Sequence, residues 1–312
     1  SLVYGYIGGS VAMMVFGWWK VSIWPSRPTL QHIRSLVDYG RYSAISTVGA
    51  YFYSWIDVAI LTLFVAVGIV GTRADIGAYE NAWRVSTVVM LFSQAIAQTI
   101  FPQFSRWNAE DSASQIESVV PKIIRASLLI VIPAFVGTLV LSKDILRVLF
   151  GPEFVSAWLA LIILTADKIF QSVLVISGKV LMAMNRPDLD AYATIAAIAI
   201  NLILNIVLIW QFGIVGAAVA TTVSFATNTL IQVYYLNHFL TISFPTKEVV
   251  WSIVASTIMG ISVFYIQSIV AISSLFQLVS IILSGVVIYI IIISIDASIR
   301  KSIHRTFKFV LQ

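Results

Sequence analysis

Apolar residues in this chain come in long unbroken runs separated by short polar connections. Nine runs are long enough to cross a hydrocarbon core as helices, at roughly 2–18, 41–67, 76–103, 121–142, 155–184, 190–210, 214–236, 249–267 and 273–295. Membrane-spanning β-strands would alternate apolar and polar residues with period two, and these runs do not. The second run, roughly 40 Å as a helix, exceeds the ~30 Å core and is expected to tilt or to project into water. Pro133 lies inside the fourth run and is expected to kink it.

The two longest connections are 19–40 and 104–120. The first holds Pro25 and Pro28, then Leu30, Ile33, Leu36 and Val37 at helical spacing, which predicts a short amphipathic helix on the membrane surface. The segment from Asp144 to Pro152 reads as a second short interfacial piece, ended by Gly151-Pro152. No connection is long enough to house a soluble catalytic domain.

Of the 312 residues, 59% are hydrophobic and 11% charged, with a mean hydropathy of +0.95. Ordinary globular domains carry roughly 25% charged residues. So little charge cannot cover a soluble surface, and lipid is the matching solvent. The sequence contains no cysteine, which excludes thiolate metal sites, disulfides and cysteine nucleophiles. His32, His238 and His304 lie far apart, near helix ends or in the tail, and read as interfacial residues rather than metal ligands. No basic segment precedes the first run, so a signal peptide is not expected, and a chain that opens inside an apolar run looks like part of a longer protein.

Charge also predicts orientation. With the 19–40 connection in the cytoplasm and sides alternating, Lys20, Arg27, Arg34, Arg41, Arg106, Lys122, Arg125, Arg186, Lys247, Arg300, Lys301, Arg305 and Lys308 fall inside. Only Arg73, Lys143 and Arg147 fall outside. The C-terminus is then cytoplasmic, and the +5 net charge needs no nucleic-acid partner to explain it.

Polar residues within hydrocarbon are costly, and they usually face a bundle interior or an aqueous cavity. Ser43, Ser46, Thr47, Ala50, Ser54 and Asp57 lie three or four apart on one face of the second run. Asp57 sits near its middle with no basic residue close in sequence. A buried lone carboxylate binds a cation, takes up a proton or bonds another helix. The third run carries Glu80, Arg84, Thr87, Gln94 and Gln98 on one face. Glu80 and Arg84 form either a self-neutralising pair or part of a cavity wall whose guanidinium meets phosphate. In the fifth run, the adjacent Asp167 and Lys168 are not expected to face each other. Lys168 and Lys179, about three turns apart, share a face with Gln171 and Ser172 and predict a cationic stripe for an anionic substrate. Snorkelling of Lys179 to the interface is the alternative. Asn201 and Asn205 lie one turn apart, and Ala217, Thr221, Ser224 and Asn228 line the next run. With Asp57 they offer oxygen ligands to a small hard cation, or else hydrogen bonds between helices. Gly213, Gly216, Ala217 and Ala220 are expected to serve close packing. The last two runs carry no charge and are expected to face lipid as additions outside any site.

Nucleotide chemistry finds no support. Gly178-Lys179 lacks the upstream glycine of a P-loop, since position 173 is Val173. Asp188-Leu189-Asp190 looks like the DxD of some glycosyltransferases but follows Asn185-Arg186-Pro187 in a tight loop, where helix capping explains it better. No nucleophile, base and acid converge.

Four stretches, in order, resemble the polysaccharide (Wzx-type) flippases of the MATE-like MOP exporter superfamily. They are Asp57 in a long helix after a basic linker; Ile76-Gly-Ala-Tyr-Glu-Asn-Ala-Trp-Arg-Val, running on to Phe101-Pro102; Ile145-Leu-Arg-Val-Leu-Phe-Gly-Pro-Glu-Phe; and Asn201-x-x-x-Asn205 followed by Phe212-Gly-Ile-Val-Gly-Ala-Ala-Val-Ala-Thr. The resemblance covers residues 1–240. It implies an all-α polytopic membrane protein with two six-helix lobes around a central cavity. By that template 1–18 is the last helix of the N-lobe, 19–40 a cytoplasmic linker with the amphipathic helix and 41–236 the C-lobe six-helix bundle. Residues 249–295 are then two additional transmembrane helices, and 296–312 a basic cytoplasmic tail. The resemblance further implies a secondary transporter, not an enzyme, that flips lipid-linked (polyprenyl-diphosphate) oligosaccharide across the cytoplasmic membrane by alternating access, among membrane lipids and beside glycan-assembly machinery. Its cavity would draw on Arg84, Lys168, Lys179, Glu80, Gln94 and Gln98. Some relatives hold sodium between an acid on the first C-lobe helix, two Asn/Asp residues one turn apart on the fifth and a hydroxyl on the sixth, a description that Asp57, Asn201, Asn205 and Thr221 match. Asn205 stands where an acid can occur, so sodium and proton both stay open as coupling ion, with no other cofactor expected. A multidrug exporter of the same superfamily would want an acidic, aromatic cavity. A membrane-embedded glycan ligase or polymerase would want long outer loops. The sequence offers neither.

Overall fold

The computed structural model describes residues 2–20, 29–295 and 300, with the side chains of 2, 3 and 50–54 left outside the description. Pro25, Arg27 and Pro28 of the linker, and Lys301, His304, Arg305 and Lys308 of the tail, also lie outside the described residues. Among the described residues ten α-helices follow one another: α1 (Leu2–Lys20), α2 (Leu30–Ala66), α3 (Arg73–Val88), α4 (Leu91–Ala109), α5 (Ala113–Phe150), α6 (Trp158–Ala183), α7 (Pro187–Phe212), α8 (Ile214–Phe239), α9 (Thr246–Ile269) and α10 (Leu275–Ile293). A 3-10 turn, Pro152–Ala157, leads into α6. No strand occurs among the described residues. The chain divides into two compact units, 1–40 and 41–312.

Six segments are each long and apolar enough to cross a membrane: α5, the turn with α6, and α7 to α10. The bent pair α3–α4 counts as a seventh, and Trp55–Ala66 of α2 is a shorter apolar stretch. The chain is a multi-pass membrane protein. Its burial pattern agrees with a lipid solvent. On α7 the buried face holds Thr194, Ala197, Asn201 and Asn205, while Leu202, Ile203 and Ile206 are turned outward. Polar groups inside and aliphatic groups outside is the arrangement hydrocarbon favours.

Helix boundaries depart from the apolar runs in four places. Residues 30–37 are not a separate surface helix but the opening turns of α2, a continuous 37-residue helix. The 104–120 segment is not a loop, since α4 runs to Ala109 and α5 starts at Ala113. Asp144 to Phe150 is likewise the end of α5, which passes through Pro121 and Pro133 and stops where Gly151 takes φ +119, a conformation that disfavours any side chain. Polar residues at the ends of spans keep helical hydrogen bonds as the helix enters water, so apolar runs mark the hydrocarbon and not the helix. Finally, the 76–103 run is not one helix. It breaks at Val89–Met90 and bends by 50°. Ser86 and Thr87 both donate their hydroxyls back to the Trp83 carbonyl, at 2.8 and 2.9 Å. The next two amides bond three residues back instead of four, Val89 to Ser86 and Met90 to Thr87. Hydroxyl back-bonding of this kind bends helices.

Three apolar clusters hold the second unit together. One joins α4, α5, α6 and α8 around Phe104, Ile123, Leu128 and Val180. Another joins α2, α3, α6, α7 and α8 around Leu61, Tyr79, Leu164 and Ala217. A third packs α9 and α10 on α5 through Leu141, Met259, Val263 and Tyr289. The last two helices thus pack one face on α5 and leave most of their surface outward. Polar contacts pin them to α5 as well. Arg125 pairs with Glu248 at 3.1 Å, Tyr289 Oη donates to the Leu129 carbonyl at 2.8 Å, Gln267 donates to Asp144, and Arg147 donates to the Ile272 carbonyl at 3.2 Å.

The α7–α8 corner shows the expected close packing. A Cβ on Gly216 would lie 1.9 Å from the Leu208 carbonyl oxygen, a backbone atom that cannot step aside. Gly216→Ala should therefore force the two helices apart and destabilise by about 1–3 kcal/mol or more. Gly137→Ala, with nothing within 4 Å of the added carbon, should be neutral or stabilising. Thermal denaturation in detergent distinguishes the two, and equal midpoints would refute the close-packing role.

Candidate functional site

Four helices meet at one carboxylate. Asp57 lies on α2 and is 2% exposed. Its Oδ2 accepts from Tyr79 Oη of α3 at 2.6 Å and from Thr221 Oγ1 of α8 at 2.5 Å. Its Oδ1 accepts from Asn205 Nδ2 of α7 at 2.7 Å. Asn201, one turn earlier on α7, donates to Thr221 Oγ1 at 3.4 Å. The network fixes its own orientations. Asn205 must present its NH₂ to a carboxylate, and Thr221 must spend its proton on Asp57, so Asn201 presents its NH₂ to the Thr221 oxygen. Both carboxamide oxygens, Asn201 Oδ1 and Asn205 Oδ1, are then buried with no hydrogen-bond partner.

Those orphaned oxygens decide what the cluster can do. A buried polar atom without a partner costs about 1–3 kcal/mol, so two of them weigh against a purely structural knot. With the Asp57 carboxylate they make an all-oxygen set carrying one negative charge, which fits a monovalent hard cation such as sodium. Among the described residues no group of three or more His, Cys, Asp or Glu side chains gathers to hold a metal ion, so a multiply charged ion lacks its usual ligands.

Beside this cluster sits an ion pair. Lys168 Nζ contacts Asp167 Oδ2 at 3.1 Å, with the two side chains 1% and 0% exposed. Gln171 donates to the same oxygen at 2.5 Å, and the ammonium also stands 4.3 Å from the centroid of the Trp83 ring. The expectation that residues 167 and 168 would not face each other fails. Adjacent helical residues diverge at Cβ, but a four-carbon side chain can fold back when hydrocarbon leaves it no water to reach. The cationic stripe fails with it: Lys168 is neutralised in the core, whereas Lys179 is half-buried at the rim of a separate cavity.

The other predicted cavity residues lie on α3 and α4. Arg84 pairs with Glu80 at 3.3 Å, with side chains 71% and 35% exposed. Gln94 is half-buried and Gln98 exposed. The 50° bend separates the two helices, so the four do not form one straight stripe. On α3 itself the faces are cleanly divided: Ala78, Tyr79, Ala82 and Ser86 are buried, while Arg84 is exposed. Asp188, expected as a cap, bonds backbone amides of the first turn of α7 and also receives two bonds from Arg186 at 3.1 Å, whereas Asp190 turns inward to Gln232.

Sequence reasoning missed Tyr79 and Trp83. Both stand in the aromatic-rich 76–85 stretch, and their position one turn apart between small residues was the available signal.

A polar cluster tying together an otherwise apolar helical bundle is the interior of a multi-pass membrane protein. Solved structures agree on the fold. The lipid II flippase MurJ in an inward closed conformation superimposes with TM-score 0.71 at 18% identity, over 93% of this chain and 60% of that one. An outward-facing multidrug resistance MATE family transporter of the MOP superfamily gives 0.52 at 14% identity, over 88% of this chain and 67% of that one. The chain belongs to the family described as polysaccharide biosynthesis protein, which matches residues 1–159. Two relatives come from Haloferax volcanii. One, named a probable low-salt glycan biosynthesis flippase, Agl15, is 45% identical over 97% of this chain; the other, a probable flippase, AglR, is 28% identical over 98%. The chain spans 63% of the length of each.

The ion pair gives a direct test. Lys168→Met alone strands a buried carboxylate and should cost about 3–5 kcal/mol. Adding Asp167→Asn, which removes the charge and keeps a partner for Gln171, should recover most of that loss in thermal denaturation. Independent, additive losses would show that Lys168 acts elsewhere.

Proposed function

We propose that the protein is a secondary transporter that flips a lipid-linked (polyprenyl-diphosphate) oligosaccharide across the cytoplasmic membrane by alternating access. In this reading a monovalent cation or a proton at Asp57 supplies the coupling. The observation that carries the proposal is the four-helix anchorage of one carboxylate in hydrocarbon, with two carboxamide oxygens left unbonded beside it. A bound ion drives a conformational change only if it favours one state, and a site built from α2, α3, α7 and α8 changes its affinity whenever those helices shift.

The relatives named as flippases support the substrate class. Residues 41–236 then act as the second lobe, 1–18 as the closing helix of the first and 249–295 as an added pair, with the C-terminus in the cytoplasm by the basic asymmetry. Contact with the diphosphate falls to the exposed Arg84 guanidinium, which pairs with Glu80, with Gln94, Gln98 and Lys179 as further polar contacts. Glycan-assembly machinery would load the substrate from the cytoplasmic side.

Complementation of a flippase-deficient strain by the full-length gene tests this reading, with surface glycan scored at matched membrane expression. Wild type should restore glycan, Asp57→Asn should reduce it at least about tenfold, the equivalent of ~1.4 kcal/mol of lost coupling, and Arg84→Ala should reduce it severalfold. Full restoration by both variants would make these charges structural. Drug resistance without glycan from the wild-type gene would favour a multidrug exporter.

A further inference from the structure

The helices that meet at Asp57 carry a second polar layer. A step of eleven residues is close to three helical turns, about 16 Å. It leads from Asp57 to Ser46 on α2, from Lys168 to Lys179 on α6, from Asn201 to Asp190 on α7 and from Thr221 to Gln232 on α8. The steps run toward the N-terminus on α2 and α7 and toward the C-terminus on α6 and α8, so all four lead toward the same end of the bundle. There Ser46, Lys179, Asp190, Thr194, Asn228 and Gln232 line a cavity of about 270 Å³.

The chemistry of this cavity repeats that of the Asp57 cluster. Asp190 is 6% exposed, and its Oδ1 accepts from Gln232 Nε2 at 2.6 Å. The same NH₂ donates to Asn228 Oδ1 at 3.3 Å. These two bonds fix the Gln232 carboxamide, which is 1% exposed, and leave its Oε1 buried without a hydrogen-bond partner. Gly178 keeps the spot open, since a Cβ there would lie 3.2 Å from Asp190 Oδ1 and 3.5 Å from Gln232 Oε1. Lys179 turns its Nζ over the Phe101 ring, 5.2 Å from the centroid, and Asp190 takes its short bond from Gln232 instead. The layer thus offers one carboxylate, an orphaned carboxamide oxygen, a second carboxamide oxygen and hydroxyls.

We propose that this cavity is a second cation station, binding a hard monovalent cation of the sodium class through Asp190, Gln232 Oε1, Asn228 Oδ1 and the Thr194 hydroxyl. One carboxylate matches one positive charge. The Lys179 ammonium at the rim opposes tight binding, so the station holds its ion more weakly than the Asp57 cluster does. Its use as a stop on the way to Asp57 rests on the coupling reading above; the binding itself does not.

Equilibrium binding of radioactive sodium to the purified full-length protein tests the station. Wild type should bind sodium, Asp190→Asn should bind one sodium fewer, and where the Asp57 cluster holds sodium as well the site lost should be the weaker of two. Gln232→Glu adds a second carboxylate and should tighten that site about tenfold, because cation affinity follows ligand charge. Should Asp190→Asn fail to yield a monodisperse protein, Gln232→Glu decides, and an isotherm identical to wild type overturns the proposal. Sodium stoichiometry unchanged in Asp190→Asn, or no sodium bound by wild type, overturns it as well. If Asp190→Asn loses one sodium while Asp57→Asn keeps both, the station stands and the coupling role of Asp57 falls.

Discussion

The fold of the second unit turns on one carboxylate that must be satisfied without water. A charged side chain at the centre of a bilayer costs about 2.5–3.5 kcal/mol on insertion scales. Interhelical hydrogen bonds in membranes return about 0.6 kcal/mol each, and at most about 1.7. Three donors from three other helices therefore return about 2 kcal/mol at the average and about 5 at the maximum, which brackets the cost of Asp57. A cluster so close to balance responds to small changes. A cation beside Asp57, or a proton on it, would alter what α3, α7 and α8 gain by holding to α2.

The neighbouring pair follows the opposite logic. Asp167 and Lys168 neutralise each other within one turn of α6, with Gln171 and Trp83 beside them, although Asp167 Oδ1 is buried without a hydrogen-bond partner. The pair needs no ion, so it fixes the packing of α6 against α3 without offering a coupling site. Two polar groups in one hydrocarbon interior thus divide into a charge-neutral pair and a set that carries one unbalanced negative charge.

Around this interior the remaining helices supply rigidity. The α9–α10 hairpin is bonded to α5 near both ends, by Arg125–Glu248 and by Gln267 to Asp144 with Arg147 to the Ile272 carbonyl, and between them by Tyr289. On α5, Arg125 and Asp144 stand nineteen residues apart, about 28 Å along the helix and nearly the thickness of the hydrocarbon. Bonds at that spacing resist tilting of the hairpin as well as separation, so it travels with α5.

The sequence by itself determined that the chain is helical and multi-pass, because long apolar runs of low charge have one solvent that suits them. It also marked Asp57, Asn201, Asn205 and Thr221, since each is costly in lipid and repeats at helical spacing. It placed α6 to α10 to within a few residues, where Pro187, Gly213 and short polar turns bound the spans. Periodicity names a face, however, and not the neighbour that face meets. Only tertiary structure could decide that Tyr79 completes the Asp57 cluster while Arg84, on the same helix, stays exposed. Only tertiary structure could turn Lys168 from the start of a cationic stripe into half of a buried pair, or turn Asp190 from a capping acid into the partner of Gln232. The physical reason is common to all three. In hydrocarbon a polar side chain goes wherever a partner lies, and partners from other helices come into reach only when the bundle closes.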